Sequence, residues 1–452
     1  MEETITSLLE RSQAAQQAFA SYGQEQVDAV VRAIAKVVYD RAEELARMAH
    51  EETRMGVYAD KVKKNQGKAK IIWHSLKGKK SIGVIADDPV TGVTLIAKPM
   101  GVIGAVTPCT NPIVTPMCNA MFALKCCNSI IIAPHPRAKK CAVYLVDLFR
   151  AELRALGAPE DLILVIAEPT IERTNELMRS VDVVVATGGM NMVKAAYSSG
   201  KPAFGVGAGN VQCVVDQKSG LEEAIPKILA GRLFDNGIIC SGEQTVMIHE
   251  DEFEQAAAIM AKNGAWLVRD AAEVDKIRKV LFIDGVMNRQ LVGQPAGRVA
   301  ELAGIAIPEG TSVIVVEGAG IGEADILCQE KMCPVLTVFR YKTFEEAMAM
   351  ALANLDVEGR GHSISVHSHD PEHIAYAGQV APVSRVLINQ ICSTMNGGSF
   401  YNGFAATTTL GCGSWGNNSI SENLDYKHLM NITRIGRYLK DAIVPTDAQI
   451  WG

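Results

Sequence analysis

Between Lys98 and about Gly205, short apolar runs alternate with amphipathic stretches, and this alternation constrains the fold more than any other feature of the chain. Residues 101–106, 129–133, 162–166 and 181–186 read as strands, while 115–125, 137–156, a stretch from Thr170 and one after Gly189 read as helices. A strand buried on one face alternates apolar and polar residues. Continuous apolar runs, each followed by an amphipathic helix, instead predict a parallel sheet covered on both faces. Such a doubly wound sheet binds ligands outside the carboxyl ends of its strands. A second α/β block follows, with strands at 211–215, 244–248, 312–316 and 386–389 and helices at 221–233, 252–263 and 344–354. Ahead of both, the first 80 residues read helical, with one amphipathic stretch from Thr4 to Tyr22 running into another where Val27, Val30, Val31, Ile34, Val37 and Val38 recur at helical spacing. Residues 82–86 and 93–97 read as a hairpin turning at Asp87-Asp88-Pro89 and Thr91-Gly92, an arm suited to pairing with another subunit. The Gly- and Asn-rich stretch 396–418 reads as loops that approach a ligand or another chain.

At 452 residues the chain has room for about two or three domains. Hydrophobic residues at 48% and charged residues at 21% fit a globular enzyme and exclude a disordered chain. With 44 Lys+Arg against 50 Asp+Glu the net charge is −6, which argues against nucleic-acid or anionic-membrane partners. No apolar stretch approaches the roughly 18 residues of a membrane span. The acidic start Met1-Glu2-Glu3-Thr4 lacks the basic region of a secretory signal, so a soluble, cytoplasmic protein is expected. The 11 cysteines are odd in number and include no Cys-x-x-Cys, so reduced thiols and no metal site are expected. The vicinal pair Cys126-Cys127 reads as buried core.

Three loops carry the candidate chemistry. In Thr107-Pro108-Cys109-Thr110-Asn111-Pro112, two prolines limit the backbone around Asn111, as suits an amide held in one direction or equally an Asx-type turn. In Thr187-Gly188-Gly189 a strand turns into a helix whose free N–H groups could face an anion, although a tight turn explains the glycines as well. Neither 205–209 nor 318–322 has the spacing of the dinucleotide fingerprint. In 234–244, Cys240 stands between an apolar pair and a small-residue turn, which fits either a presented thiol or inert core.

Lys98-Pro99-Met100-Gly101-Val102-Ile103-Gly104 with Thr107-Pro108 and Asn111-Pro112 resembles the cofactor domain of the aldehyde dehydrogenase superfamily. Phe234-Asp235-Asn236-Gly237-Ile238-Ile239-Cys240 resembles the nucleophile loop of its CoA-acylating branch, as do residues 133–139, 194–202 and 409–416. Within that branch the chain is similar to succinate semialdehyde dehydrogenases and to the aldehyde half of bifunctional aldehyde-alcohol dehydrogenases. Its end at Gly452 leaves no room for an alcohol dehydrogenase half. The resemblance implies an aldehyde dehydrogenase-like α/β fold. A cofactor-binding domain would span 1–205, including the 82–97 arm, and a catalytic domain 206–392. A return segment and oligomerisation tail would span 393–452 of a homodimer or homotetramer.

It further implies that Cys240 is the nucleophile, that Asn111 and the Cys240 backbone N–H hold the oxyanion, and that free CoA removes the acyl group. The cofactor would lie against Thr107, Pro108, Thr187, Gly188, Gly189 and Gly207, with Glu330 on the nicotinamide ribose and Met332 where relatives usually carry Phe. NAD-preferring hydrolytic relatives carry a ribose-binding carboxylate after the second strand. Here His135 and Arg137 stand nearby without one, which leans the choice between NADP and NAD slightly toward NADP. Hydrolytic relatives also carry a glutamate base at the place matched by Gly205, and its absence favours attack by a thiol over attack by water. Glu243 is close enough in sequence to replace it. His362 resembles a position near the active site and reads as a structural imidazole, carried as a guess for a substrate contact; Arg385 is the guess for a succinyl carboxylate. The loop 390–398 departs from the Pro-Ala-Thr-Thr-Ala of succinate semialdehyde relatives, which would question a dicarboxylic substrate if it lines the acyl pocket. The expected reaction interconverts acyl-CoA, first of all succinyl-CoA, and NAD(P)H with aldehyde, CoA and NAD(P)⁺. Alternatives are acetyl, propionyl or butyryl transfer, and hydrolysis to the free acid.

Overall fold

The computed structural model describes residues 3–452; the acidic start read at Met1-Glu2 lies outside them. Four helices, Ile5–Phe19, Gln24–Asp40, Ala42–Thr53 and Tyr58–Leu76, precede the first strand. Thr4 caps the first, its hydroxyl accepting from the Ser7 N–H at 3.1 Å. The helix stops at Phe19 rather than running into the next, because Gly23 caps Gln24–Asp40 separately. The apolar face from Val27 to Val38 is buried as its spacing predicts.

Five strands form the first sheet in the spatial order Ile163–Val165, Ser129–Pro134, Val102–Thr107, Val183–Thr187, Ala203–Val206. All four pairings are parallel, with Gly104 facing Ile131 on one side and Val184 on the other. The direction of winding reverses between Val102–Thr107 and Val183–Thr187, which opens a crevice over Thr107 and Thr187. Ala203–Val206 has no strand signature in the sequence, being four residues long with a glycine in it; pairing of Ala186 with Gly205 makes it a strand. After Ser129–Pro134 the chain makes a 3₁₀ turn, Pro136–Ala138, before the helix Lys139–Ala155.

A seven-stranded parallel sheet follows, in the order Ala265–Val268, Val313–Glu317, Val335–Tyr341, Glu243–His249, Val211–Val215, Ile364–His367, Val386–Ile388. The hairpin Gly83–Asp88 and Val93–Pro99 gains a third antiparallel strand, Met430–Gly436, whose Met430 faces Pro99 and whose Gly436 faces Val93. Beyond it Tyr438, Ile443, Val444 and Trp451 are exposed. No helix among the described residues is long and apolar enough to cross a membrane.

Candidate active site

The crevice of the first sheet gathers its candidates at the strand ends. Thr107 accepts the His135 N–H through its carbonyl at 3.1 Å, which ties the loops after two neighbouring strands together. The Thr187 and Thr409 hydroxyls lie 3.3 Å apart, and Gly189 caps the helix Met190–Tyr197. The Met190 side chain lies over Gly207, where a Cβ would stand 2.1 Å from its Sδ and would require that flexible side chain to move. His135 and Arg137 are exposed at the end of Ser129–Pro134, where partial burial and the charges of Arg137 and Arg289 lower the imidazole pKa. The Arg137 guanidinium donates to the Thr53 carbonyl at 3.2 Å.

The helix Leu221–Leu233 delivers the chain into an unusual turn. Asp235, Asn236 and Gly237 all have positive φ, at 53°, 51° and 71°. A non-glycine residue held in this region costs about 1–3 kcal/mol, so two in succession need firm partners. The Asp235 carboxylate supplies them: fully buried, it accepts the Val57 N–H at 2.8 Å and pairs with Lys61 at 3.1 Å and Lys64 at 2.6 Å. Burial would raise this carboxyl, but Lys64 and Lys61 outweigh burial and hold it below its ordinary range. The Asn236 amide donates to the Gly293 carbonyl at 3.0 Å. Ile238 is then buried, while Cys240 stays partly exposed in a cavity of about 440 Å³.

Asn111 lines the same cavity, brought there by the loop between Val102–Thr107 and the helix Val114–Lys125. Its Oδ1 accepts from Lys64 Nζ at 2.7 Å. Burial, and then the charge of Glu330, pushes the Cys240 thiol up to about 12, so it is protonated at neutral pH in the ligand-free protein. Burial and Glu358 push Glu330 itself up to about 8, and its N–H donates to Glu358 Oε2 at 2.8 Å.

Three sequence expectations require correction. Arg385 does not line the cavity: it is buried, with Nε on the Ser363 hydroxyl at 3.1 Å, one terminal nitrogen on Asn423 Oδ1 at 3.1 Å and the other on the His362 carbonyl at 2.8 Å. A guanidinium so engaged holds loops together and has no fork free for a substrate carboxylate. His362, the other guess for a substrate contact, is not among the residues lining the cavity: both ring nitrogens are buried without a partner and burial, then the charge of Arg385, depresses its pKa to about 3, which suits a structural imidazole. Position 205 does not face the thiol: a Cβ there would meet Val193 at 2.8 Å and Tyr197 at 2.9 Å. Among the described residues no Asp or Glu lines the cavity, although the Glu330 carboxyl is close enough for its charge to raise the Cys240 thiol. Glu243 cannot substitute, for its Oε1 accepts the Cys392 N–H at 2.7 Å and its Oε2 packs where a side chain on Gly231 would be.

The sequence reading missed the lysines. Lys63, Lys64, Lys68 and Lys70 line the cavity, all from the helix Tyr58–Leu76. Lys68 Nζ donates to the Gly397 and Thr407 carbonyls at 2.8 and 3.1 Å, and no ion pair involves it among the described residues. The Ser393 hydroxyl lines the same cavity, buried without a partner, as does the Thr408 hydroxyl, which lies against the Cys118 thiol. The i, i+3, i+7 spacing of Lys61, Lys64 and Lys68 was the available signal, but surface helices carry the same pattern.

Comparison with known proteins agrees with this geometry. Residues 1–273 match the model of the aldehyde dehydrogenase family. The chain is 52% identical over 451 residues, covering 100% of itself and 99% of its counterpart, to a succinate-semialdehyde dehydrogenase (acetylating) of Clostridium kluyveri. An acetylating aldehyde dehydrogenase from Geobacillus thermoglucosidasius superposes with a TM-score of 0.94 at 34% identity, over 98% of each chain. A Rhodopseudomonas palustris propionaldehyde dehydrogenase, solved with bound CoA and an acylated cysteine, superposes at 0.87 with 30% identity, over 97% of this chain and 98% of that one. A thiol and a side-chain amide lining one cavity, on this fold and with these relatives, place the chain in the aldehyde dehydrogenase family, in its CoA-acylating branch.

Proposed function

We propose that this enzyme interconverts succinyl-CoA, NADPH and a proton with succinate semialdehyde, CoA and NADP⁺. The Cys240 sulfur attacks the thioester carbonyl, the C–S bond to CoA breaks, and CoA leaves as its thiol while the acyl group stays on the enzyme. The Asn111 Nδ2 and the Cys240 N–H hold the oxygen that turns negative. When bound, the dinucleotide supplies or accepts the hydride. Breaking the Cys240–carbon bond then frees the aldehyde, and the sulfur regains its proton. Supporting the fit of the dinucleotide, Gly188 and Gly189 leave its approach clear at the carboxyl ends of the first sheet, while Gly207 lies under Met190. Thr107, Pro108 and Thr187 would flank it, and Glu330 would take the nicotinamide ribose.

One observation carries the choice of acyl group: four lysines and no carboxylate line the cavity holding Cys240. Lys68, with the unpartnered Ser393 hydroxyl, is the site for the distal carboxylate in place of Arg385. Residues from Ser393 to Gly398 line this pocket, the condition under which the loop's departure from succinate semialdehyde relatives speaks against a dicarboxylic substrate; in favour of one, the Gly397 carbonyl holds Lys68 there. The lean to NADP rests on His135, Arg137 and Arg289. Glu52 already takes the Lys140 and Cys141 N–H groups at 2.8 Å each, so a 2′-phosphate would be held by side chains. In the same proposal the chain divides at 205 and 392 and works in the cytoplasm without membrane or nucleic-acid partners. The 82–97 arm and the exposed tail would join two or four copies.

The test is whether NADP⁺ reduction by succinate semialdehyde requires CoA, and whether Cys240→Ala abolishes it while leaving cofactor binding intact. Turnover without CoA, or near wild-type turnover in Cys240→Ala, would overturn the proposal.

A further inference from the structure

One ammonium touches both halves of the catalytic apparatus. Lys64 Nζ donates to Asn111 Oδ1 at 2.7 Å and to Asp235 Oδ2 at 2.6 Å. Asn111 belongs to the loop after the first strand of the first sheet, whereas Asp235 belongs to the left-handed turn that delivers Cys240. Lys64 comes from a third element, the helix Tyr58–Leu76. It is held there with little solvent contact, its side chain 9% exposed against 0% for Asp235.

The chemistry of the contact fixes the amide. An ammonium carries donors and no acceptor, so the Asn111 atom that faces it must be the carbonyl oxygen. The NH₂ group is thereby left for the other side. With Lys64 absent, the amide is free to rotate and present oxygen to the reacting carbonyl, which would repel the developing charge. On the opposite side of the ammonium, Asp235 anchors a turn with two non-glycine residues at positive φ, five residues ahead of Cys240.

We propose that Lys64 is a positioning residue: it orients the Asn111 amide so that Nδ2 donates to the oxyanion, and it ties that donor to the Asp235 turn carrying Cys240. The proposal rests on the reading of Asn111 as an oxyanion donor. It assigns Lys64 no contact with the reacting atoms. Lys61, which reaches only Asp235, anchors the turn without orienting the amide.

The experiment is a double-mutant cycle on the intact enzyme, with succinyl-CoA reduction as the readout. Asn111→Ala should lower kcat by about 10²- to 10³-fold, the usual cost of one oxyanion donor. Lys64→Met should lower kcat by about 10- to 100-fold with little change in KM, and should cost less than about threefold more in the Asn111→Ala background, because the amide it orients is gone. Lys64→Gln, which keeps one amide donor, should recover part of the loss and serves as the reporting variant if Lys64→Met does not fold. Full additivity of the Lys64 and Asn111 losses, or unchanged kcat in both Lys64 variants, overturns the positioning role alone. Unchanged kcat in Asn111→Ala overturns the oxyanion reading and the positioning role together.

Discussion

The carbonyl oxygen of Cys240 lies 1.9 Å from the point that a Cβ on Gly209 would occupy, and His362 Nε2 lies 3.2 Å from the same point. The backbone of Cys240 therefore rests on a glycine contributed by the segment joining the two large sheets. Gly209→Ala should push the Cys240 loop out of place, since the contact is with backbone and no flexible side chain can yield. Misplacement by about 1 Å costs on the order of 10²-fold in rate. Steady-state kinetics and the thermal midpoint measured together test this; a loss of kcat below threefold in a folded variant would show that the loop adapts.

The Cys240 thiol, raised to about 12 by burial and by Glu330, should be a slow nucleophile in the ligand-free enzyme. Its alkylation by iodoacetamide should rise about tenfold per pH unit between roughly pH 7 and 10, following the thiolate fraction. Because Glu330 is itself raised to about 8, it is neutral at low pH and charged above. Glu330→Gln should therefore leave the rate unchanged near pH 6 and increase it above about pH 9. A plateau in the wild-type profile near pH 8 would show instead that the thiolate is already stabilised.

Lys68 should determine which acyl group is accepted. A hydrogen bond to a charged partner contributes about 1.5–3 kcal/mol, so Lys68→Met should reduce kcat/KM for succinyl-CoA by about 10- to 100-fold. The value for butyryl-CoA, whose chain ends in a methyl group, should change little. Burial lowers Lys68 to about 8, so the preference for succinyl-CoA should also decline in wild type as pH rises through that value. Equal losses for both thioesters would make Lys68 a structural residue.

Arg137→Ala removes a guanidinium from the end of Ser129–Pro134 and should raise KM for NADPH by about tenfold without affecting NADH, as loss of a phosphate contact predicts. It also removes the bond to the Thr53 carbonyl, so unfolding is monitored alongside. An equal effect on both nucleotides would place the 2′-phosphate elsewhere.

Glu243 is raised to about 7 by burial, above the roughly 4.3 of an unfolded glutamate. A carboxyl whose folded pKa is raised contributes stability that is complete below the unfolded value and lost as pH rises through the folded one. Stability should accordingly fall between about pH 4.5 and 7. Glu243→Gln keeps an acceptor for the Cys392 N–H and should reduce that fall by on the order of 2 kcal/mol. Urea unfolding at pH 5 and pH 8 compares the two; an equal fall in both proteins would exclude Glu243 as its source.

The nucleotide-binding half was legible because burial on both faces leaves a direct imprint, as in the uninterrupted run Ile130-Ile131-Ile132. That Cys240 and Asn111 come together in one cavity was legible only through the family motifs that carry them. Lys68 was not, since a lysine in a helix looks the same whether it meets water or two carbonyls from residues more than 300 positions away. Arg385 misled for the converse reason: a cation near the pocket in sequence proved to be consumed by Ser363, Asn423 and His362.

Local patterning, then, determined the doubly wound sheet and the positions of four of its five strands, and the motif around Cys240 marked the candidate thiol, because periodicity and side-chain chemistry are properties of short segments. Tertiary structure alone decided which polar atoms are left without partners, that Gly205 faces Val193 and Tyr197 while Gly209 supports Cys240, and that one lysine spans Asn111 and Asp235. Those relations depend on distances between residues far apart along the chain, and on desolvation, and neither is encoded in any single stretch of sequence.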